Sequence, residues 1–254
     1  MASPGAQHAP LTLVHQDAWL IAVHKPAGLL VHRSALDAHE PDDLVTRLTA
    51  QLSTPLWLVH RLDKGTSGLI LLARDAATAG TLGRALAAGE VAKRYLALVR
   101  GWPADAGEID QPLARDPEQP SAGQPRLPAT TRWQVLARHT LPVATRPGFE
   151  GTRIALVAVT PLTGRRHQIR RHFKHLGHPL IGDSTHGKGP LNRAVARHLG
   201  LARLWLHAEQ LRFMHPITGL PVTLMAPPGP EWASWQSAPA SAQGEDASPV
   251  AARR

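Results

Sequence analysis

The amino-acid sequence is compatible with an α+β fold, and two kinds of pattern fit that class. Short apolar runs bounded by turn-forming residues recur along the chain, and each is too short for a helix, so they predict strands. Three longer stretches, at residues 42–52, 76–88 and 163–177, have helical spacing of apolar residues or helix-capping residues at their ends. The predicted strands outnumber the predicted helices.

The first third of the chain predicts a hairpin, two helices and a polar loop between buried strands. Residues 11–15 and 19–23 are strand-like runs joined by a short polar link. Pro26 and Gly28 then force a turn. Lys25 and His32 lie beside this turn, and a role as ordinary loop residues fits them as well as a functional role does. After the helix at residues 42–52, the runs at 56–59 and 69–73 predict strands on either side of a loop. Residues 75 and 89 suit the ends of the next helix.

The rest of the chain predicts further strands and two irregular segments. Residues 91–99 form a strand pattern, and residues 131–138 and 152–160 alternate apolar and polar side chains as an antiparallel pair does. Residues 102–129 lack periodicity, which predicts a long, mobile surface excursion. From residue 227 onward Pro, Ala, Ser and Gly predominate. We therefore expect a flexible leader at 1–10, one folded domain at 11–226 and a disordered tail at 227–254, with Trp232 and Trp235 as its anchors.

Composition predicts a globular protein with a polyanionic partner. The 254 residues, 43% of them hydrophobic, are enough for a full core. The net charge of the chain is +9, and residues 1–226 carry +10 because the tail has two arginines against three acids. Such positive charge favours phosphate binding. The absence of cysteine excludes disulfides and thiolate chemistry. No apolar run approaches the ~20 residues of a membrane span and no signal peptide is evident, so the expected location is the cytoplasm.

The loop at residues 60–68 carries the strongest chemical signal. Its single carboxylate, Asp63, has three basic neighbours, His60, Arg61 and Lys64. Nearby positive charge favours the ionised form of a carboxylate, so Asp63 should be available as a nucleophile or base at neutral pH. The structural alternative is a tight turn in which Asp63 pairs with Arg61.

The stretch at residues 160–177 is strongly basic and predicts a helix that begins near Thr163 and ends near Gly177. It has five lysines or arginines and no acid. Its helical spacing would place an apolar set on one face and stacked positive charges on the other, an arrangement that phosphates stabilise. An ordinary solvated basic helix is the alternative. The apolar set is Ile169, Phe173 and Leu176, and the basic set is Arg166, Arg170 and Lys174.

Residues 60–68 resemble the H-R-L-D-x-x-T-S-G signature of the RluA-type family of RNA pseudouridine synthases. Residues 93–101 and 164–170 resemble the second and third motifs of that family, and shorter similarities occur at residues 25–32 and 206–208. The resemblance spans residues 11–226. It implies the isomerisation of uridine to pseudouridine in RNA without a cofactor or metal. It also implies an α+β fold with a long mixed, mostly antiparallel sheet bent around a central basic cleft and flanked by helices.

The resemblance also implies roles for individual residues. Asp63 is the catalytic residue, Tyr95 packs against the target base, and Arg170 pairs with Asp63, with Arg165 as the substitute for that role. Arg61 enters the RNA in place of the extruded base. Leu206 lines the uracil pocket, and the alternative is that Leu206 is an ordinary core residue. The remaining residues assigned to RNA binding are His60, Thr66, Arg165, Arg166 and Lys174.

Finer features resemble the tRNA pseudouridine synthase C branch of the family. Residues 183–187 read D-S-x-H-G, with His186 where most members have tyrosine, and residues 30–37, 192–193 and 198–201 add further similarities. That branch implies uridine 65 of tRNA as the target, with ribosomal RNA as the runner-up substrate. About ten residues precede the first predicted strand, so we expect no S4-like RNA-binding module, and we expect a monomer.

Two other functional classes fit parts of the sequence. Fifteen histidines, including His167, His172, His175 and His178, raise the possibility of a metal hydrolase, but they lack a recognisable three-ligand spacing. A non-catalytic RNA-binding protein is the second alternative. The presence together of Asp63, Tyr95 and the arginines of the third motif favours the enzyme.

Overall fold

The computed structural model describes residues 9–33, 42–144, 148 and 151–236, and a ten-stranded sheet forms its centre. The helices are α1 Leu44–Leu52, α2 Ala76–Ala88, α3 Gln168–His175, α4 Gly189–Leu199 and α5 Ala233–Gln236. The strands are β1 Thr12–Gln16, β2 Leu20–Lys25, β3 Trp57–Leu58, β4 Ser67–Ala73, β5 Ala92–Arg100, β6 Ala106–Asp110, β7 Leu113–Ala114, β8 Arg126–Leu127, β9 Thr130–Leu141, β10 Thr152–Pro161, β11 Leu206–Met214 and β12 Pro221–Met225.

The sheet is mixed and mostly antiparallel, which confirms the predicted fold class. Its strands follow the order β1-β2-β4-β11-β5-β10-β9-β6, while β12 pairs with β11 and β3 pairs with β4. Among the strand pairs described, β4 with β11 is parallel and the others are antiparallel. The predicted central basic cleft stays a prediction.

Apolar side chains cover both faces of the central strands. In β4, Ile70 and Leu72 belong to one core cluster, while Leu69 and Leu71 belong to another. Successive residues of a strand point to opposite faces, so a strand buried on both sides needs an unbroken apolar run. This requirement explains why residues 69–73 show no polar alternation.

Several predicted elements are confirmed almost to the residue. The hairpin forms as β1 and β2, and the predicted antiparallel pair forms as β9 and β10, which extends further than expected. Helix α2 begins after Asp75, whose carboxylate accepts a hydrogen bond from the Thr78 backbone N–H. It ends at Gly89, whose φ of 80° lies in the left-handed region that favours glycine.

The prediction of an irregular excursion at residues 102–129 is wrong for part of the segment. Strand β6 lies within it and forms the edge of the sheet against β9, and the short strands β7 and β8 pair with each other. Only Ile109 of β6 is buried, so the strand has no apolar alternation for sequence analysis to detect.

The predicted start of the basic helix is also wrong. Helix α3 begins at Gln168 instead of near Thr163, because His167 adopts a left-handed φ of 54° that interrupts helical geometry. The Thr163 hydroxyl bonds the Gln168 side chain, 2.7 Å away, and does not cap the helix. Helix α4 was not predicted, although Leu191 and Val195 on its buried face are spaced four residues apart.

The folded part extends beyond residue 226, so the predicted boundary of the disordered tail is wrong for residues 227–236. Trp232 and Trp235 are 0% and 3% exposed and pack edge-on against Trp205, while Glu231 pairs with Arg203. The two tryptophans thus anchor this segment, as their apolar character suggested. Residues 1–8 of the predicted leader and residues 237–254 of the predicted tail lie outside the described residues.

Replacement of Trp232 tests whether residues 227–236 complete the core. Trp232→Ala should lower the free energy of unfolding by about 3–5 kcal/mol, because it leaves a large cavity beside Trp205. Trp57→Ala, at a tryptophan that is 38% exposed, should cost about 1 kcal/mol. Urea unfolding of both variants provides the measurement, and equal losses would show that the C-terminal segment does not contribute to the core.

Candidate active site

Asp63 lies on the loop between β3 and β4, and packing and hydrogen bonds fix that loop at several points. Leu62 is buried in the same core cluster as Ile70 and Leu72, which anchors the backbone next to Asp63. The Thr66 backbone N–H donates to the Asp63 carbonyl at 3.0 Å and closes a turn. The Asp63 side chain is left 25% exposed, so it is held in place yet open to a ligand.

Gly68 allows the end of this loop to lie directly against β11. Its φ is 108°, and a β-carbon at this position would lie 2.2 Å from the Ala208 carbonyl oxygen. Any larger residue would force β4 and β11 apart at the point where they pair in parallel. The glycine of the motif is therefore required by the close approach of the two backbones.

Lys25 ties the turn at residues 25–32 to the Asp63 loop. Its side chain is 0% exposed, and Nζ donates to the carbonyl oxygens of Pro26, Leu29 and Lys64 at 3.0, 2.7 and 3.0 Å. Burial lowers the pKa of Lys25 to about 7, although the negative charge of Asp63 works against this shift. Lys25 is thus a buried positioning residue, a role that its sequence context left undecided.

A buried arginine connects Asp63 to a second carboxylate. Arg170 on α3 donates from Nη1 to Asp63 Oδ2 at 2.8 Å, and from Nε and Nη2 to the two oxygens of Asp183, both at 2.8 Å. Burial opposes the charge of Arg170, but its bonds to Asp183 and Asp63 outweigh that effect and raise its pKa above the ordinary arginine value. Arg170 therefore stays charged and holds one oxygen of Asp63.

Asp183 is the main site residue that sequence analysis missed. It is 1% exposed and also accepts backbone hydrogen bonds from Thr185 and His186, at 3.0 and 2.8 Å. Asn192 on α4 fixes the same turn, since it accepts from the Gly182 N–H and donates to the Asp183 carbonyl. The aspartate was visible in the motif at residues 183–187, but nothing local indicated that it would face Arg170.

Two histidines lie on the other side of the Asp63 carboxylate. His167 Nε2 is 3.8 Å from Asp63 Oδ1, and His167 Nδ1 is 3.1 Å from His186 Nε2. Both residues were noted in the sequence, His167 among the possible metal ligands and His186 as a branch feature, but neither was assigned to the site. The two oxygens of Asp63 thus face different partners, a permanent cation and an imidazole.

Tyr95 and Leu206 lie on adjacent strands near this carboxylate. Tyr95 on β5 is half-buried and packs against both the cluster that contains Leu62 and the cluster that contains Leu206. Burial, with a contribution from the charge of Asp63, raises the pKa of Tyr95 above its ordinary value, so its hydroxyl stays neutral. Leu206 is 4% exposed at the start of β11 and belongs to the core.

The residues predicted to bind RNA divide into buried and exposed groups. Arg61 is exposed beside Asp63, whereas Thr66 is buried. His60 Nε2 accepts the Leu71 backbone N–H at 3.1 Å. Burial lowers the pKa of His60 to about 4, so it is a neutral acceptor that holds the loop against β4.

The predicted stack of positive charge on one helical face is wrong. Arg170 points inward to two carboxylates, and Arg166 precedes α3 and pairs with Glu118 and Asp116. Arg165 Nε donates to the Pro128 carbonyl at 2.9 Å, and Lys174 is exposed in the last turn of α3. The acids that offset these charges lie outside residues 160–177, so the basic stretch needs none of its own. They are Asp63, Asp116, Glu118 and Asp183.

The arrangement provides a partly open carboxylate with fixed orientation, next to a neutral phenol. Such a carboxylate can act as a nucleophile or as a base.

Within the described ranges, no group of three or more His, Asp or Glu side chains could hold a metal ion. Across the same ranges, no helix combines the length and the apolar character needed to cross a membrane.

Comparisons with known proteins indicate the family of the chain. The family model described as RNA pseudouridylate synthase matches residues 19–175. A protein of Vibrio cholerae named tRNA pseudouridine synthase C is 42% identical over 221 residues, which cover 85% of this chain and 90% of that protein. A protein of Pasteurella multocida with the same name is 41% identical over 233 residues, covering 87% of this chain and 93% of that protein.

A solved structure shares the fold over most of the chain. The human RNA pseudouridylate synthase domain containing 1 superposes with a TM-score of 0.67 at 28% identity, covering 89% of this chain and 86% of the human chain. The resemblance that the motifs carry is therefore confirmed. The chain belongs to the RNA pseudouridylate synthase family, whose members are isomerases that act on RNA.

Proposed function

We propose that this enzyme converts uridine 65 of tRNA to pseudouridine and that Asp63 is its catalytic residue. The observation that carries the assignment is the pairing of Asp63 Oδ2 with Arg170 at 2.8 Å, with Arg170 held in turn by buried Asp183. A permanent cation keeps the carboxylate ionised and oriented, which nucleophilic or general-base chemistry requires.

The reaction breaks the bond between N1 of uracil and C1′ of ribose, turns the base, and joins C5 to C1′. The proton that C5 loses balances the proton that N1 gains. Asp63 can attack the sugar as a nucleophile, or it can remove the C2′ proton and return it in a route through a glycal. In both routes its carboxylate must carry negative charge at the start and at the end.

Tyr95 and Arg61 have complementary roles in placing the target base. A half-buried, neutral Tyr95 offers an aromatic face on which an extruded uracil can stack, and such stacking contributes about 1–3 kcal/mol per base. Leu206 adds an apolar wall. Extrusion of the base costs a few kcal/mol, and exposed Arg61 enters the space that the base leaves. Arg165 and Lys174 supply positive charge for the RNA backbone, whereas the charge of Arg166 is offset by Glu118 and Asp116 unless RNA displaces them.

Two facts support tRNA as the substrate. The relatives from Vibrio cholerae and Pasteurella multocida are both named tRNA pseudouridine synthase C. The motif at residues 183–187, with His186 in place of tyrosine, resembles the same branch, and this histidine lies in the site beside His167. Position 65 follows from the resemblance to that branch.

Tritium release from RNA labelled at C5 of uridine tests the reaction and the substrate together. The wild-type enzyme should release tritium from a tRNA transcript and not from a ribosomal RNA transcript, because the branch similarity points to tRNA. Asp63→Ala should abolish release, since the variant lacks the carboxylate that both routes require. Release from ribosomal RNA alone would contradict the substrate assignment, and full activity of Asp63→Ala would contradict the catalytic assignment.

Arg61→Ala tests the role of Arg61 in base extrusion. On folded tRNA, where the base must leave a helical stack, we expect a loss of about tenfold or more in kcat/KM. On a single-stranded RNA with the same target uridine, the loss should be much smaller because little stacking has to be broken. Arg212→Ala, at an exposed arginine on β11, is the matched control. Equal losses of Arg61→Ala on both RNAs would reject this role.

A further inference from the structure

His167 lies next to Asp63 and His186 lies next to His167, but neither histidine has a part in the chemistry described so far. His167 Nε2 faces Asp63 Oδ1 at 3.8 Å, while its Nδ1 lies 3.1 Å from His186 Nε2. The two rings meet edge to face, with their centroids 5.3 Å apart. His167 is thus a bridge between the carboxylate and His186.

The backbone holds both rings in place. His167 has a φ of 54°, a left-handed conformation that a residue with a β-carbon rarely adopts, and this value turns the chain just before α3 begins. The backbone N–H of His186 donates to Asp183 Oδ1 at 2.8 Å, so the Asp183 turn that holds Arg170 also holds His186. The approach of the two rings is therefore set from two independent segments.

Both histidines are neutral at neutral pH. Burial lowers the pKa of His167, against the attraction of Asp63 and Asp183 and with the help of Arg170 and Arg166. Burial also lowers the pKa of His186 to about 4, where Asp183 opposes the shift and Arg170, His167 and Lys174 support it. A neutral imidazole has one N–H donor and one bare nitrogen acceptor.

The position of Asp63 decides which nitrogen of His167 carries the proton. With the proton on Nε2, His167 points an N–H at a carboxylate oxygen. With the proton on Nδ1, two lone pairs would face each other across 3.8 Å. The first tautomer is favoured, so Nδ1 of His167 is an acceptor, and His186 must be the donor from its Nε2.

We propose that His186 is a positioning residue: it donates from Nε2 to Nδ1 of His167, and His167 thereby presents an N–H to the Asp63 oxygen that Arg170 does not hold. The inference rests on the proposed catalytic role of Asp63. A movement of about 0.8 Å would bring 3.8 Å to hydrogen-bond length, and catalytic hydrogen bonds often shorten when substrate binds. Both oxygens of Asp63 then have a donor each time the carboxylate becomes free and charged.

Two substitutions at residue 186 separate hydrogen bonding from packing. His186→Phe keeps an aromatic ring but removes the donor, whereas His186→Tyr keeps a hydroxyl that can donate to His167. His186→Phe should lower kcat about tenfold, the factor that corresponds to a modest hydrogen bond, with KM changed less than about twofold. His186→Tyr should stay within about threefold of wild type. His198→Phe, at an exposed histidine on α4, should have no effect.

The tautomers can be read directly from nitrogen-15 NMR spectra of the wild-type enzyme labelled at histidine, with signals assigned through His167→Phe and His186→Phe. Both residues should show a neutral ring with the proton on Nε2 at pH 7. A proton on Nδ1 of His167, or equal losses of kcat in His186→Phe and His186→Tyr, would overturn the inference. Full activity of Asp63→Asn would instead reject the proposed function and leave the tautomer result readable.

Discussion

The buried ion pair of Arg170 and Asp183 is the interaction on which the rest of the site depends. A guanidinium that is 7% exposed loses most of its hydration, and an unpaired charge in that position would be strongly destabilising. Asp183 removes this penalty with two hydrogen bonds from the same guanidinium, a geometry in which arginine is better matched to a carboxylate than lysine is. The third nitrogen, Nη1, remains for Asp63.

The same aspartate organises several parts of the chain. Its carboxylate accepts from the backbone of Thr185 and His186, its carbonyl is held by Asn192 on α4, and its partner Arg170 lies on α3. The loop that carries Asp63 is fixed separately, by Lys25 from β2 and by the contact of Gly68 with β11. Asp63 and Arg170 are 107 residues apart in sequence and meet because both supports are rigid.

Sequence analysis proposed roles for Asp63, Tyr95 and Arg170 because each lies in a dense local motif, and the structure brings Arg170 within 2.8 Å of Asp63. It also identified the main strands and α2, since apolar runs and capping residues such as Asp75 are local signals. The roles of Asp183 and Lys25 were harder to predict. Asp183 acts through Arg170, which lies 13 residues away on a different element, and Lys25 acts through a set of backbone carbonyls. No local pattern shows whether a charged side chain will be buried or what will balance its charge.

The predictions that were wrong have the same physical origin, because each depends on contacts that a local pattern does not show. A helical repeat through Arg166, Arg170 and Lys174 predicted a single basic face, but the left-handed backbone of His167 delays the start of α3 and leaves Arg166 outside the helix. Strand β6 was missed because an edge strand needs few buried side chains. The segment at residues 227–236 was expected to be disordered, since its Pro and Gly content outweighed two tryptophans that in fact close the core.

A double-mutant cycle tests most directly whether Asp183 acts on catalysis through Arg170. Single-turnover rates would be measured for Arg170→Gln, Asp183→Asn and the double variant, with unfolding curves to confirm that each protein is folded under the assay conditions. If Asp183 works only by holding Arg170 against Asp63, the double variant should be no slower than Arg170→Gln within about twofold. Losses that multiply in the double variant would show that the two residues act independently and would contradict this account of the site.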